Sequence, residues 1–243
     1  MRISRGIATL SIAGLALVGV SACSSDEPAA DSNATESTEA PEPEETDEET
    51  EEGTEEAEEP APAGEGETAG WANPVTTPGT LLTTITSDAY TVDVYQVGVT
   101  QATKTGQFAN PDTNEPIIAV GADIVFVNYV VTNTSDEAIP LGASLVNIDA
   151  RYVDWPYMGG MDSVVDKDLF AAQEVNSDAP KPDSYVDPYV LAWEPGTQFS
   201  YGENFLYPAG SPIEFDIVMT PTDDAGELVH DKKVEATGEA TIS

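Results

Sequence analysis

Apolar and polar residues alternate along the chain from Trp71 onward, in the pattern that half-buried β-strands produce. An imperfect alternation runs through Tyr90–Thr100, and the Leu81–Leu82 pair with Ile85 indicates another strand before it. These segments are rich in Val, Ile, Thr and Tyr, while Pro, Gly, Asn and Asp separate them, as in strands joined by turns. No segment carries a sustained apolar stripe at helical spacing, so the pattern predicts an all-β domain over residues 71–243.

The most strongly apolar segment, Gly121–Leu141, predicts a central strand, a turn and a return strand. Apolar residues occupy both faces of its first half, which is typical of a strand buried on both sides. Asn133–Asp136 supply side chains that favour a turn, and Ala138–Pro140 begin the return. The further predicted strands are Val146–Tyr152, Thr197–Leu206, Ile213–Met219 and Val234–Ile242. The last of these is polar enough to lie at the edge of a sheet.

Seven or more short strands joined by turns favour an antiparallel β-sandwich of the immunoglobulin-like type. The predicted domain contains no cysteine, so no disulfide can hold its two sheets together. At roughly 170 residues the domain is long enough for an apolar core to do so alone.

Residues 1–22 have the layout of a secretory signal peptide. Met1–Arg5 carry two positive charges, and the apolar stretch that follows them ends in Val20-Ser21-Ala22-Cys23. These four residues resemble the lipobox of bacterial lipoproteins, in which an aliphatic residue and two small ones precede a cysteine. The resemblance implies cleavage after Ala22, a diacylglycerol thioether on Cys23, and an acyl chain such as palmitate on the new amino group. The alternative, a permanent membrane-spanning helix, would need about 20 apolar residues.

An acidic, low-complexity segment follows over residues 24–70, with 19 acidic residues and no basic one. It contains no Val, Ile, Leu, Met or aromatic residue, so nothing apolar offsets the entropy of ordering its backbone. We therefore expect a disordered linker over residues 23–70, with an end-to-end distance of about 40 Å. Its expected role is that of a spacer; the alternatives are diffuse binding of Ca²⁺ and attachment of sugars to its Thr and Ser residues.

The whole chain is strongly acidic, with a formal net charge of -37. Phosphate backbones and anionic headgroups are bound through clusters of Lys and Arg, which this chain lacks, so nucleic acid is excluded as a partner. The charge also favours a soluble monomer. The membrane is therefore expected to be reached through the lipid on Cys23 and not through surface charge.

The residues needed for most catalytic and metal chemistry are scarce. His230 is the only histidine and Cys23 the only cysteine. Nucleophilic catalysis requires a base beside the nucleophile, and zinc or copper requires several His or Cys ligands. No phosphate-binding or dinucleotide fingerprint is present either. The sequence therefore predicts a protein that is not an enzyme and has no cofactor.

The long connection between Tyr152 and Trp193 is the one region predicted to hold a ligand, because loops of this length are usually functional or disordered. Its candidate ligand-binding aromatics are Tyr152, Trp155 and Tyr157. Its candidate calcium-binding carboxylates are Asp162, Asp166 and Asp168. The competing interpretation is that the aromatics pack the connection over the end of the sandwich, and that the aspartates lack the alternating spacing of a calcium loop.

Two segments of the predicted domain, Phe126–Asp136 and Trp193–Tyr201, resemble the immunoglobulin-like domains of lipoproteins in Gram-positive bacteria. That family is known mainly as a domain of unknown function and is related in fold to a mycobacterial secreted antigen. The resemblance implies a fold and a location, the outer face of the cytoplasmic membrane, and no reaction. We expect a lipid-anchored, noncatalytic module that binds a protein or another envelope component through its sandwich. The alternatives are an accessory lipoprotein that binds a solute or a cation through the long connection, and a domain that merely occupies space in the envelope.

Overall fold

Nine β-strands and one short α-helix lie within residues 66–243, which are the part of the chain that the computed structural model describes. The predicted signal peptide, Cys23 and the linker as far as Glu65 lie outside the described residues. The strands are β1 (Glu67–Thr68), β2 (Thr80–Thr86), β3 (Tyr90–Gln101), β4 (Asp123–Asn133), β5 (Ile139–Tyr152), β6 (Leu191–Trp193), β7 (Thr197–Leu206), β8 (Pro212–Pro221) and β9 (Val234–Thr241). The helix is α1 (Lys167–Ala172). No helix in this part of the chain is long and apolar enough to cross a membrane.

The strands form two sheets, with the orders β1-β7-β4-β3-β2 and β6-β5-β8-β9. Neighbouring strands are antiparallel except for β1 and β7, which are parallel. In immunoglobulin lettering, β3, β4 and β7 take the places of strands A, B and E, and β5, β8 and β9 those of C, F and G. The predicted immunoglobulin-like β-sandwich is therefore confirmed. The one parallel pair was not predicted.

The main core lies between the two sheets. Alternate residues of β4, among them Val127 and Tyr129, are fully buried and face the opposite sheet. The rings of Tyr129 and Phe215 meet edge to face with centroids 6.2 Å apart. Trp193 is also fully buried, and its indole N–H donates to the Thr197 carbonyl at 3.0 Å. Each apolar side chain buried in this way contributes about 1.5–3 kcal/mol. This burial holds the two sheets together in a domain that contains no cysteine for a disulfide.

A second, smaller core lies on the outer face of the five-stranded sheet. Ile124 and Phe126, the other face of β4, are fully buried there against Ile118 and Val164. Phe170 of α1 meets the Phe126 ring edge to face at 5.0 Å. The prediction that β4 is a central strand with two apolar faces is confirmed, and this second core is the reason for it. The helix was not predicted, because six residues are too few to show a helical period.

Two strand predictions differ in detail from the structure. Ala138–Pro140 and Val146–Tyr152 were expected as separate pieces, but they belong to one strand, β5, whose pairing with β8 is irregular between Leu141 and Val146. Leu145 has a φ of 48° within that irregular stretch, a left-handed conformation that one type of bulge uses. The expected final edge strand is confirmed, because β9 has a hydrogen-bonded neighbour on one side only.

The ordered domain begins before Trp71, the predicted boundary. Glu67 and Thr68 pair with the beginning of β7, and Ala69 is buried against the main core. The expectation that the linker stays disordered as far as Gly70 is therefore wrong for its last residues. A two-residue strand held by its backbone carries no apolar pattern, so composition alone assigned it to the linker.

Candidate functional site

Two long loops, residues 102–122 and 153–190, leave the sandwich at the same end. Strands β3, β5 and β7 all finish there, and the Tyr152 hydroxyl at the end of β5 donates to the Leu206 carbonyl at the end of β7, at 2.9 Å. We call this the distal end. The opposite end holds β1, which pairs with the beginning of β7. Because β7 has ten residues, the two ends are about 30 Å apart.

Asp162 joins the two loops through a buried carboxylate. Its Oδ1 accepts the backbone N–H groups of Gln107 at 2.7 Å, Phe108 at 3.0 Å and Ser163 at 2.9 Å. Its Oδ2 accepts the backbone N–H of Ile118 at 3.2 Å. A carboxylate that is fully buried needs such donors, since it has lost its water. Asp162 thus fixes the loop that begins after β3 against the loop that begins after β5.

The close packing at this point requires glycine at position 106. A Cβ atom built on Gly106 would lie 1.9 Å from Oδ2 of Asp162. The backbone N–H of Gly106 also donates to the Ile118 carbonyl at 2.9 Å. Any side chain at this position would displace the carboxylate that holds the loops together.

The two loops enclose an apolar pocket of about 440 Å³ at the distal end. We call it the distal pocket. Its main lining residues are Phe108, Pro111, Ile117, Tyr157, Met158 and Gly159. Met158 is 99% exposed and Phe108 is 48% exposed, so large apolar side chains face solvent at the mouth. Pockets of roughly 300–1,000 Å³ with apolar walls are the usual size for ligand binding.

Of the three aromatic residues predicted to bind a ligand, one lines the distal pocket. Tyr157 does so, and its backbone carbonyl accepts a hydrogen bond from the Arg151 guanidinium. Trp155 packs against the main core and meets the Tyr157 ring edge to face at 5.2 Å. Tyr152 is buried in the main core, so it is structural and unavailable to a ligand.

The three predicted calcium ligands do not come together. Asp162 is occupied by backbone N–H groups, as described above. Asp166 caps α1 by accepting the Asp168 backbone N–H at 3.2 Å, and it also accepts the Thr103 hydroxyl at 2.5 Å and lies 3.3 Å from the Lys104 ammonium. The hydrogen bond from Thr103 is the main reason that the pKa of Asp166 lies below its ordinary value. Asp168 is exposed in the first turn of the helix.

Residues 66–243 contain no group of three or more His, Cys, Asp or Glu side chains that could hold a metal ion. The predicted calcium site is therefore wrong for these aspartates. The physical reason is that each carboxylate in the connection that folds inward already has protein donors.

Sequence reasoning missed Phe108, Ile117 and Met158. The first two lie in the loop after β3, which the sequence analysis did not consider as part of a site. The available signal was the presence of two long loops, one after β3 and one after β5, which are strands A and C in immunoglobulin lettering. Such loops emerge at the same end of the sandwich, so apolar residues within them are brought together.

A second, smaller cleft of about 290 Å³ lies between α1 and β7, and Glu203 is among its lining residues. The Glu203 carboxylate accepts the Tyr129 hydroxyl at 3.0 Å. The pKa of Glu203 is raised to about 7, mainly because the carboxyl is buried. The hydrogen bond from Tyr129 opposes this rise, and the negative charge of Asp149 adds to it. Glu203 therefore exchanges its proton near neutral pH. Its hydrogen-bond donor, Tyr129, belongs to the main core. Ionisation of Glu203 therefore affects the interior of the sandwich and not the distal pocket.

His230 lies far from the distal pocket. It is exposed in a 3-10 turn just before β9, at the end of the sandwich where β5 begins. The single histidine of the chain therefore does not lie beside the distal pocket.

Comparison of the chain with protein families, with curated proteins and with solved structures finds no match. The fold and the distal pocket are thus the features from which a function must be argued.

Proposed function

We propose that this protein is a lipid-anchored, noncatalytic binding module, which displays the distal pocket outward from the outer face of the cytoplasmic membrane. The observation that carries the proposal is the position of the pocket. The first strand, β1, begins at Glu67 beside the start of β7, and the pocket lies at the opposite end of the sandwich. A chain held by its N-terminal side therefore presents the pocket on its far side.

The sequence supports the other half of the proposal. Cys23 is the last residue of a lipobox-like tetrapeptide at the end of a segment with the layout of a signal peptide. Two acyl chains anchor a protein stably, whereas one does so only marginally. The acidic linker then adds about 40 Å of reach, with like-charge repulsion from anionic lipids holding the domain off the surface. This arrangement suits the capture of a partner within the envelope.

The rigid scaffold is what makes the pocket suitable for binding. Its walls come from two loops that Asp162 ties together, and both loops are rooted on strands of the sandwich. Binding sites are commonly built in this way, on loops positioned by a rigid sheet. The exposed apolar side chains lose unfavourable contact with water when a partner covers them.

The alternative from the sequence, an accessory solute-binding lipoprotein, now uses the same pocket. The long connection contributes Pro156–Gly160 to its walls, and a volume of about 440 Å³ can hold a small molecule. The two functions differ in what covers the pocket. A bound solute would protect Met158 from a protein crosslinker without producing a crosslinked partner.

Lipid attachment is tested by feeding an alkyne analogue of palmitate to cells of a Gram-positive host that produce the chain. The wild-type chain is expected to incorporate the label and to fractionate with membranes. Cys23→Ser is expected to do neither, whereas Ser24→Ala leaves both unchanged. Labelling of Cys23→Ser at the wild-type level would overturn the anchored part of the proposal.

Binding at the distal pocket is tested by placing a photocrosslinking amino acid at Met158 on intact cells. A matched position is Leu228, which is 46% exposed and lies beyond β8, at the other end of the sandwich. We expect a discrete crosslinked species from position 158, its absence from position 228, and its loss when Phe108→Asp is added. The same pattern of crosslinks from both positions would overturn the proposal.

A further inference from the structure

We propose that the distal pocket binds an extended segment of another protein in which a large apolar side chain is flanked by Lys or Arg. This inference rests on the proposed function, because it names the chemistry of the partner that the pocket receives. It is carried by the apolar walls of the pocket together with the charges at its rim.

The walls of the pocket select an apolar anchor. Phe108, Ile117 and Tyr157 provide flat or branched apolar surface, and Met158 is an unbranched side chain that adapts to different shapes. A volume of about 440 Å³ is larger than one leucine or phenylalanine side chain, so the pocket has room for one such anchor from an extended peptide. Binding anchors of this kind supply most of the affinity of small interfaces.

Three exposed carboxylates lie close in sequence to the residues that line the pocket, and from this we infer that they form its rim. Asp112 and Glu115 lie in the turn that joins the two halves of the first loop, and Asp154 lies two residues before Pro156. All three are exposed, and none takes part in an ion pair within residues 66–243, where the ion pairs are Lys104–Asp166 and Lys233–Glu235. The rim therefore offers negative charge to the residues that flank a bound anchor.

Arg151 contacts a wall residue of the pocket, and its single positive charge does not balance the carboxylates of the rim. Its guanidinium donates to the carbonyl of Tyr157 and so helps to hold the second loop in place. Three carboxylates against one guanidinium leave the mouth of the pocket negative. A partner with positive residues on both sides of its anchor matches this charge, and opposite charges raise the association rate and the selectivity of a complex.

Other occupants fit the same surface less well. The chain's own linker contains no large apolar residue that could enter the pocket. A second copy of the domain would bring the same acidic rim against the first, and like charges brought together oppose association. Anionic lipid and nucleic acid are repelled for the same reason. A basic and apolar protein segment is the occupant that satisfies both the walls and the rim.

The test is fluorescence polarisation with four labelled peptides and the chain from Ser24 to Ser243. The peptides share one length and have the sequences Lys-Lys-Leu-Phe-Lys-Lys, Gln-Gln-Leu-Phe-Gln-Gln, Glu-Glu-Leu-Phe-Glu-Glu and Lys-Lys-Ser-Ser-Lys-Lys. We expect the first to bind about tenfold more tightly than the second at low salt, because a few exposed charge pairs contribute a fraction of a kcal/mol each. Near 1 M salt the ratio is expected to fall below about twofold. The third and fourth peptides are expected not to bind.

Two sets of variants locate the effect. The wild-type domain is expected to bind the Lys-flanked and the Gln-flanked Leu-Phe peptides, and Met158→Asp is expected to abolish binding of both. The triple change Asp112→Asn, Glu115→Gln and Asp154→Asn is expected to remove the preference for Lys over Gln while keeping the anchor. A matched control removes the same number of charges from the opposite end, with Asp223→Asn, Asp224→Asn and Glu227→Gln, and is expected to keep the preference.

The outcomes separate this inference from the proposed function. Equal binding of the Lys-flanked and Gln-flanked peptides overturns the basic partner and leaves the binding pocket in place. Binding of the Ser-containing peptide as tightly as the Leu-Phe peptide overturns the apolar anchor. Absence of binding by every peptide, with the crosslink at Met158 retained, overturns this inference alone. Absence of both overturns the proposed function as well.

Discussion

Replacing Glu203 by glutamine should make the domain more stable at alkaline pH and leave it nearly unchanged at acidic pH. The Glu203 carboxyl accepts the Tyr129 hydroxyl, which an amide oxygen can also do, so Glu203→Gln keeps the hydrogen bond and removes the charge. In the folded chain burial raises the pKa of Glu203 from an ordinary 4.5 to about 7. The folded state therefore binds a proton more tightly than the unfolded state does.

The sign of the effect follows from that difference. Below pH 4.5 the carboxyl is protonated in both states, and Glu203 brings no electrostatic penalty. As the pH rises from 4.5 to about 7 the unfolded state ionises first, so the free energy of unfolding falls. Each unit of pKa difference is worth about 1.4 kcal/mol, which gives a full penalty of about 3 kcal/mol above pH 7. Glu203→Gln should recover that amount at pH 8.

The assay is urea unfolding of residues 24–243 at pH 4 and pH 8, followed by tryptophan fluorescence. We expect the difference between Glu203→Gln and wild type to grow from near zero to about 3 kcal/mol between these pH values. Glu239→Gln removes an exposed charge of the same kind on β9 and serves as the matched control, with a difference that stays within about 0.5 kcal/mol at both pH values. An equal effect of Glu203→Gln at both pH values would refute the argument.

The remaining predictions concern the joint between the two loops. Asp162→Ala should lower the free energy of unfolding by at least about 3 kcal/mol, because it removes the acceptor of four backbone N–H groups, of which that of Ile118 is buried. Asp168→Ala at an exposed position should cost less than about 1 kcal/mol, and urea unfolding of both variants checks this. Gly106→Ala should also destabilise the domain and weaken peptide binding, because its Cβ would collide with the Asp162 carboxylate. In the control Gly70→Ala the added Cβ meets no atom within 4 Å, so this variant should bind like wild type. Unchanged melting and binding of Gly106→Ala would contradict the close approach described above.

The strands of the fold could be predicted because each carries its own pattern. The alternation in β3, β7 and β8 and the two apolar faces of β4 follow directly from which side chains are buried. Elements without a pattern of their own were missed. β1 is held by backbone bonds, β6 has three residues, and α1 has six, so each depends on contacts made by distant parts of the chain.

The candidate site could be predicted only in part, for the same reason. A long loop rich in aromatic and acidic residues is visible in the sequence, and Tyr157 was found in this way. Whether an aspartate in such a loop binds a cation or a backbone N–H is decided by what folds against it. For Asp162 the partner is a loop more than forty residues earlier in the chain, and no spacing rule within the connection could indicate that contact.

The parallel pairing of β1 with β7 determines how the domain responds to pulling. When a partner holds the distal pocket and the chain is held from its N-terminal side, tension runs along the strands and loads the β1–β7 hydrogen bonds in shear. β1 has only two residues, whereas Trp71 beyond it is packed against the Phe199 ring at 5.3 Å. The first element to separate under tension is therefore β1. Its release would lengthen the linker by roughly 15 Å, while the core and the pocket keep their shape. The domain thus has a short extensible segment at its N-terminal attachment point. Under a sudden pull this segment would extend before the force at the distal pocket rises.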